Sequence, residues 1–413
     1  MSEAGGDAAV RGGGPTDDGD RPPPEDPIHT RAIRAGADAE RDMGGLSPGL
    51  HRSSAYAFGS ADRAAAVHEG DEPGFVYGRT GSPTQAALEE AVAELEGGEA
   101  GLAFASGMAA ISSLLFTVLE PGDHVVAPAA LYATTASLLD GLLATHGVRV
   151  SWIDGTDPAA FGDAVREETR VLWAETPANP TLGLVDLEAL AGLGRERGLL
   201  TVVDNTFATP VNQRPLERGV DVVVHSATKY LGGHGDVVAG VLAGPRALLR
   251  RVRREALKHL GGVIAPDAAW LVLRGVRTLP VRVERHNRSA LAVARHLEGR
   301  PEVVRVRHPG LASHPQHDLA VRQMSGFGGM VAFEVEGMER ARRLVEGLAL
   351  CDLAVSLGDV ATLVQHSASM THASVPPGRR RAAGIRDGLL RMSVGLERPE
   401  DLVDDLDRAF RRV

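Results

Sequence analysis

Between residues 84 and 244 the sequence alternates short apolar runs with segments of helical spacing, and that alternation leaves few folds open. The runs GLAFA (101–105), DHVVAP (123–128), VRVSWID (148–154), RVLWAETP (170–177), LLTVVDN (199–205), VDVVVH (220–225) and DVVAGVLAG (236–244) are each of strand length. TQAALEEAVAELE (84–96), SGMAAISSLLFTVL (106–119), LYATTASLLDGLLATHG (131–147) and residues 186–197 read as helices around and between them. Strands that are apolar along their whole length are buried on both faces, and strands joined through helices run parallel. The expectation is an α/β protein built on a large, mostly parallel sheet of seven strands.

The flanking regions differ in kind. Residues 1–27 are Gly, Pro and Asp with little to bury, so a flexible tail is expected there. Residues 28–75 hold a possible helix in TRAIRAGADAERD (30–42), then extended chain and turns, and look like an arm rather than a domain. A long helical stretch at 267–298 is kinked or interrupted at Pro280. Beyond it, strands are expected at 303–308, 329–335 and 390–396, with helices at 338–349 and 400–411. The division expected is a tail at 1–27, an N-terminal arm at 28–75, a large domain at 76–275, and a linking helix with a smaller α/β domain at 276–413. DLAVSLG (352–358) and MTHASVPPGRR (370–380) read as loops facing a cleft.

Composition narrows function. The net charge of −10 argues against a nucleic-acid-coating or anionic-membrane protein. No apolar run approaches the roughly 18 residues that span a bilayer, and no secretory signal is visible. With Cys351 as its single cysteine, the chain cannot form an intrachain disulfide or a Cys-rich metal site, which fits a cytoplasmic setting. Of the 44 lysines and arginines only Lys229 and Lys258 are lysines, so chemistry that needs a neutral side-chain amine has two candidates.

In open parallel sheets, ligands sit beyond the carboxyl ends of strands. Three such ends carry complementary groups. After GLAFA, Ser106-Gly107-Met108 opens a helix, whose free N–H groups offer a phosphate seat. Asp204 closes an apolar strand, where a carboxylate needs a cationic partner. Lys229 follows VDVVVHSAT, behind Ser226 and Thr228. Taken singly, these are also a glycine turn, an N-cap and a surface lysine. Taken together they describe pyridoxal phosphate: phosphate on 107–108 with Ser226 and Thr228, aldehyde on Lys229, ring nitrogen on Asp204. Tyr132, one of four tyrosines, is placed to stack on the ring and move protons, or else is a core aromatic. Lys258, among charges near a helix end, is the weaker amine candidate.

At these residues the chain resembles the Cys/Met-metabolism family of pyridoxal-phosphate enzymes, which includes cystathionine gamma-synthase, cystathionine gamma-lyase, methionine gamma-lyase and the homoserine-ester sulfhydrylases. The stretches that carry it are YGRTGSPT (77–84), ASGMAAI (105–111), ETPANP (175–180), residues 202–236, RGVRTL (274–279), HPGLASHPQH (308–317), SGFGGM (325–330), HSASMTHASV (366–375) and RMSVGLE (391–397). The resemblance implies the fold-type I architecture of pyridoxal-phosphate-dependent transferases, with Lys229 as the Schiff-base lysine. It implies that Tyr77 and Arg79 reach the phosphate of a neighbouring subunit in a homotetramer, a dimer of dimers. It implies that Asn179, Ser356 and Arg391 serve the substrate, Arg391 by a bidentate bond to its carboxylate.

Two departures bear on specificity. Family members usually read Tyr-Gly-Gly-Thr, and methionine gamma-lyases Tyr-Gly-Cys-Thr, where this chain has Tyr132-Ala133-Thr134-Thr135. The glutamate typical of gamma-synthases and cystathionine lyases is replaced by Ala361. GHGDVVAG (233–240) and residues 97–111 look more like the methionine gamma-lyase branch. The expected reaction is γ-elimination from methionine or a related sulfur amino acid, giving 2-oxobutanoate, ammonia and a thiol. γ-Replacement on an O-activated homoserine, or cystathionine cleavage, shares its early steps.

Overall fold

The computed structural model describes residues 28–36, 45–371, 373, 377–382 and 384–413. The tail expected at 1–27 lies outside the described residues, as do residues 37–44 of the arm. The first helix is Ile28–Arg34, earlier than the expected segment and only partly within it.

Seven strands form the large sheet: β1 (Ala100–Phe104), β2 (His124–Pro128), β3 (Arg149–Ile153), β4 (Thr169–Glu175), β5 (Leu200–Asp204), β6 (Val222–His225) and β7 (Gly240–Gly244). Their order is β1-β7-β6-β5-β4-β2-β3. β7 runs antiparallel to β1 and β6, while the β6-β5-β4-β2-β3 pairs are parallel. Both faces are covered, and β4 shows how. Val171 and Trp173 pack with the Gly107–Val118 helix on one side; Leu172 and Ala174 pack with the Leu187–Arg197 helix on the other. Each fully buried aliphatic side chain of this kind contributes about 1.5–3 kcal/mol.

The Gly107–Val118 helix starts where it does because Ser106, in extended conformation, caps it: its Oγ accepts the Ala109 N–H at 3.0 Å. The expected long helix is two helices, Pro266–Val276 and Leu279–Glu298. Pro280 sits in the first turn of the second, where its missing N–H costs nothing, so the chain is interrupted rather than kinked.

A second sheet of five strands has the order β10-β11-β12-β9-β8. It is made of β8 (Val303–Arg307), β9 (Met330–Val335), β10 (Asp352–Leu353), β11 (Leu363–His366) and β12 (Leu389–Ser393). Helices Leu279–Glu298, Gly337–Glu346 and Pro399–Phe410 cover one face around Val293, Phe333, Leu344, Leu390, Met392 and Leu406. Strand alternation then turns Arg391 to the opposite face. β10 and β11 are not expected from the sequence, and Pro377–Ala382, overlapping the end of the 370–380 stretch that reads as loop, is helical; residues 372 and 374–376 of that stretch lie outside the described residues. No helix among the described residues is long and apolar enough to cross a membrane.

Candidate active site

Glu175 and Asp204 close the neighbouring parallel strands β4 and β5 in register with each other, and Ser226 follows β6 directly. Beyond these ends lies a cavity of about 440 Å³. Lys229, Tyr132, Gly107, Met108, Asp204, Ser226, Thr228, Asn179, Ser356 and Arg391 all line it. Residues up to 284 positions apart in sequence, from Gly107 to Arg391, therefore meet in one place, with β12 supplying Arg391 and the loop after β10 supplying Ser356. Tyr77 and Arg79 do not line it. They sit on an exposed turn tied to the arm by a bridge between Ala55 and Tyr77, with the Arg79 guanidinium 5.6 Å from the Tyr77 ring centre. Lys258 is exposed in the short Lys258–Leu260 helix and is not part of the cavity wall.

Ser106 takes up the N–H groups of Ala109 and Ala110, which leaves those of Gly107 and Met108 at the helix start with no intrahelical acceptor. A Cβ at Gly107 would lie 3.0 Å from Ser226 Cβ, so only glycine leaves the helix start this close to the β6 end. The Ser226 hydroxyl makes no hydrogen bond among the described residues, and its N–H donates to Thr206 Oγ1 at 2.9 Å. Thr228 differs: its hydroxyl donates to the Ala239 carbonyl at 3.2 Å and accepts the Ala239 N–H at 3.0 Å. The loop back to β7 thus already uses this side chain.

Lys229 Nζ donates to Ser356 Oγ at 2.6 Å. Burial, and then the nearby Arg391 guanidinium, pull its pKa from 10.5 down to about 8. A neutral amine is thereby accessible near physiological pH. Ser356 holds φ of +90°, a region that side-chain-bearing residues rarely adopt. The strain coincides with two contacts: its Oγ meets Lys229, and its carbonyl accepts Arg391 Nη2 at 2.7 Å.

Asp204 is 7% exposed, and burial raises its pKa against the pull of Thr206. Its Oδ1 accepts both the N–H and the hydroxyl of Thr206, at 3.0 and 2.5 Å, while Oδ2 receives no donor among the described residues. Arg391 is 4% exposed, fixed by Asn179 Oδ1 at 2.8 Å, by Gln365 Oε1 at 3.0 Å and by the Ser356 carbonyl. Burial lowers its pKa to about 10, so it stays cationic at neutral pH. Its Nε is buried with no acceptor, a donor that a bound carboxylate would satisfy. An anion seat, a low-pKa amine, an acceptor-ready acid and an arginine with a spare donor fit a phosphorylated aldehyde together with an amino acid.

Sequence reasoning missed Glu175, Thr206, Phe207 and Gln365, all on the cavity wall. Glu175 ends an apolar strand just as Asp204 does, and that signal was available. Among the described residues no group of His, Cys, Asp and Glu side chains is arranged to hold a metal ion.

Residues 29–411 match the family described as Cys/Met metabolism PLP-dependent enzyme. The chain belongs to that family. It is similar to the L-methionine gamma-lyase of Fusobacterium nucleatum subsp. nucleatum, with 45% identity over 389 residues that cover 94% of this chain and 98% of the relative. A cystathionine beta-lyase of Coxiella burnetii is 42% identical, covering 93% and 97%. The crystal structure of metB from Corynebacterium glutamicum superposes with a TM-score of 0.88 at 36% identity, over 94% of this chain and 98% of that one. These likenesses place this PLP-dependent enzyme in the trans-sulfuration group and give it the fold-type I architecture, a large sheet domain with a smaller C-terminal α/β domain.

Proposed function

We propose that this family member catalyses γ-elimination on methionine or a related sulfur amino acid, releasing a thiol, 2-oxobutanoate and ammonia. The observation that carries the choice is the charge of the cavity wall. Glu175 and Asp204 are its only carboxylates among the described residues, and both belong to the strand-end group. A substrate with a distal ammonium group would find no further acid, whereas a thioether fits neutral walls such as Ile111, Thr134, Val238 and Val355. Ala361, where cystathionine-handling relatives carry a glutamate, stands outside the cavity lining and adds no charge. The 45% identity to an L-methionine gamma-lyase supports the same choice.

Pyridoxal phosphate would be held by the helix start at Gly107 and Met108, by Ser226 and Thr228, by Asp204 at the ring nitrogen, by Tyr132 against the ring and by Lys229 at the aldehyde. When bound, it supplies an electron sink for charge that develops at the substrate's α carbon. Arg391, locked by Asn179 and Gln365, binds the substrate carboxylate through its spare donors. Lys229 Nζ, once free as a neutral amine, takes the α proton and returns a proton at a later carbon. Ser356 Oγ orients that amine. Tyr132, half-exposed at the cavity mouth, delivers a proton to the departing sulfur. Asp204 keeps its ring-nitrogen partner protonated, for which its own anionic form is required.

Tyr77 and Arg79, away from their own cavity, are assigned to the cavity of a neighbouring copy in a homotetramer, so a lone chain would bind the phosphate weakly. The test is a substrate panel on the purified protein: methionine, cystathionine, cysteine and O-acetylhomoserine, each with and without added thiol, with 2-oxoacids and new amino acids read by mass spectrometry. 2-Oxobutanoate from methionine alone is expected. Product only when an activated homoserine and a nucleophile are both present would replace elimination by γ-replacement.

A further inference from the structure

Glu175 is assigned no role in the chemistry above, yet it is 4% exposed and stands in register beside Asp204. Each of its oxygens is used. Oε2 accepts the backbone N–H of Tyr132 at 2.7 Å, and Oε1 accepts the backbone N–H of Asn179 at 2.8 Å. These two residues stand on opposite functions of the cavity. Tyr132 opens the Ala133–Ser137 helix with no side-chain cap and is half-exposed, so little else fixes its backbone. Asn179 holds Arg391 Nη1 through its Oδ1.

We propose that Glu175 is a positioning residue: one buried carboxylate fixes the backbone of Tyr132 and of Asn179, and through Asn179 the Arg391 guanidinium, so a single side chain sets the spacing between the ring-stacking and carboxylate-binding sides of the cavity. Only an ionised carboxyl does this well, since it is acceptor-only at both oxygens, whereas a protonated one turns a donor toward one of the two N–H groups. Burial and the adjacent Asp204 push the Glu175 pKa up to about 8, and the two N–H bonds and Arg391 oppose that rise. In the empty cavity the clamp is therefore only part-formed near neutral pH, and it is completed as positive charge beside Asp204 and at Arg391 draws the Glu175 pKa down.

The inference rests on the function proposed above. Its test uses the cofactor-loaded full chain and Glu175→Gln, which keeps the shape but can accept from only one N–H. Expected are a retained visible cofactor band, a changed visible circular dichroism as Tyr132 shifts, and binding of glycine weakened about tenfold to a hundredfold, the scale of one lost charge-assisted hydrogen bond. Glycine is the probe because it offers Arg391 a carboxylate and has no leaving group. Glu175→Asp, too short to bridge both groups, should show the same pattern. Wild-type dichroism and glycine affinity in either variant would overturn the proposal. So would failure of both variants to fold, which would leave Glu175 a purely structural residue. A wild-type protein without a visible cofactor band would instead defeat the function proposed above, and this inference with it.

Discussion

The low pKa of Lys229 has a consequence that can be followed in time. Cofactor capture needs the neutral amine. With the pKa lowered from 10.5 to about 8, about a quarter of the amine is neutral at pH 7.5, against about a thousandth without the shift. The preference for the neutral form corresponds to roughly 3 kcal/mol, an order-of-magnitude figure for a side chain that is three-quarters buried. The larger cause is burial and the lesser is Arg391. Cofactor-free protein mixed with pyridoxal phosphate in a stopped-flow cell should therefore develop its visible band at a rate that rises with pH and levels off above about 8. Arg391→Gln removes the cation and admits water where a guanidinium now fills space, and both changes raise the Lys229 pKa. The levelling should move to higher pH, and capture at pH 7.5 should slow by about tenfold if roughly one pH unit is lost. A wild-type rate still climbing steeply through pH 9 to 10, or an Arg391→Gln profile that superposes on it, would refute the electrostatic reasoning.

Two further outcomes are expected. Gly107→Val places side-chain atoms where a Cβ already comes within 3.0 Å of Ser226, so cofactor affinity should fall by tenfold or more, measured by equilibrium dialysis, with the far-ultraviolet dichroism unchanged. Arg253 donates to the Thr80 carbonyl at 2.6 Å and pairs with Glu89, which anchors the turn that carries Tyr77 and Arg79. With Tyr77 and Arg79 assigned to a neighbouring copy as proposed, Arg253→Ala should loosen that turn and raise the cofactor Kd severalfold, with Arg391 untouched.

The large sheet was legible because most of its strands are apolar on both faces, and the site because β4, β5 and β6 stop at the polar residues Glu175, Asp204 and His225. Asp204, Lys229 and Ser226 follow from that pattern, and the scarcity of lysine separated Lys229 from the exposed Lys258. What escaped was set by distant partners. Glu175 shares the strand-end signal of Asp204, but the backbone N–H groups it accepts from, 43 and 4 residues away, are brought to it only by the fold. Thr228 reads from the sequence as a phosphate donor; its bonds to Ala239 could not be read there, because that residue is brought near only by the turn back to β7. β10 and β11 escaped for another reason. Asp352–Leu353 is two residues long and exposed, and Leu363–His366 is short and half polar, so neither has the apolar run that marks β1 to β7. Arg391 was one arginine among many by composition. Only the alternation along β12, with Leu390 and Met392 in the core, turns it to the cavity.

Everything proposed for this chain depends on one covalent attachment. The decisive measurement is to load the protein with pyridoxal phosphate, reduce it with borohydride, digest it and locate the modified lysine by tandem mass spectrometry. With only two lysines in the sequence the answer is binary. Near-stoichiometric modification of Lys229, with Lys258 bare and no modification in Lys229→Ala, is expected. Label on Lys258, or none on either lysine in a protein that stays folded, would contradict the assignment of this cavity to the cofactor.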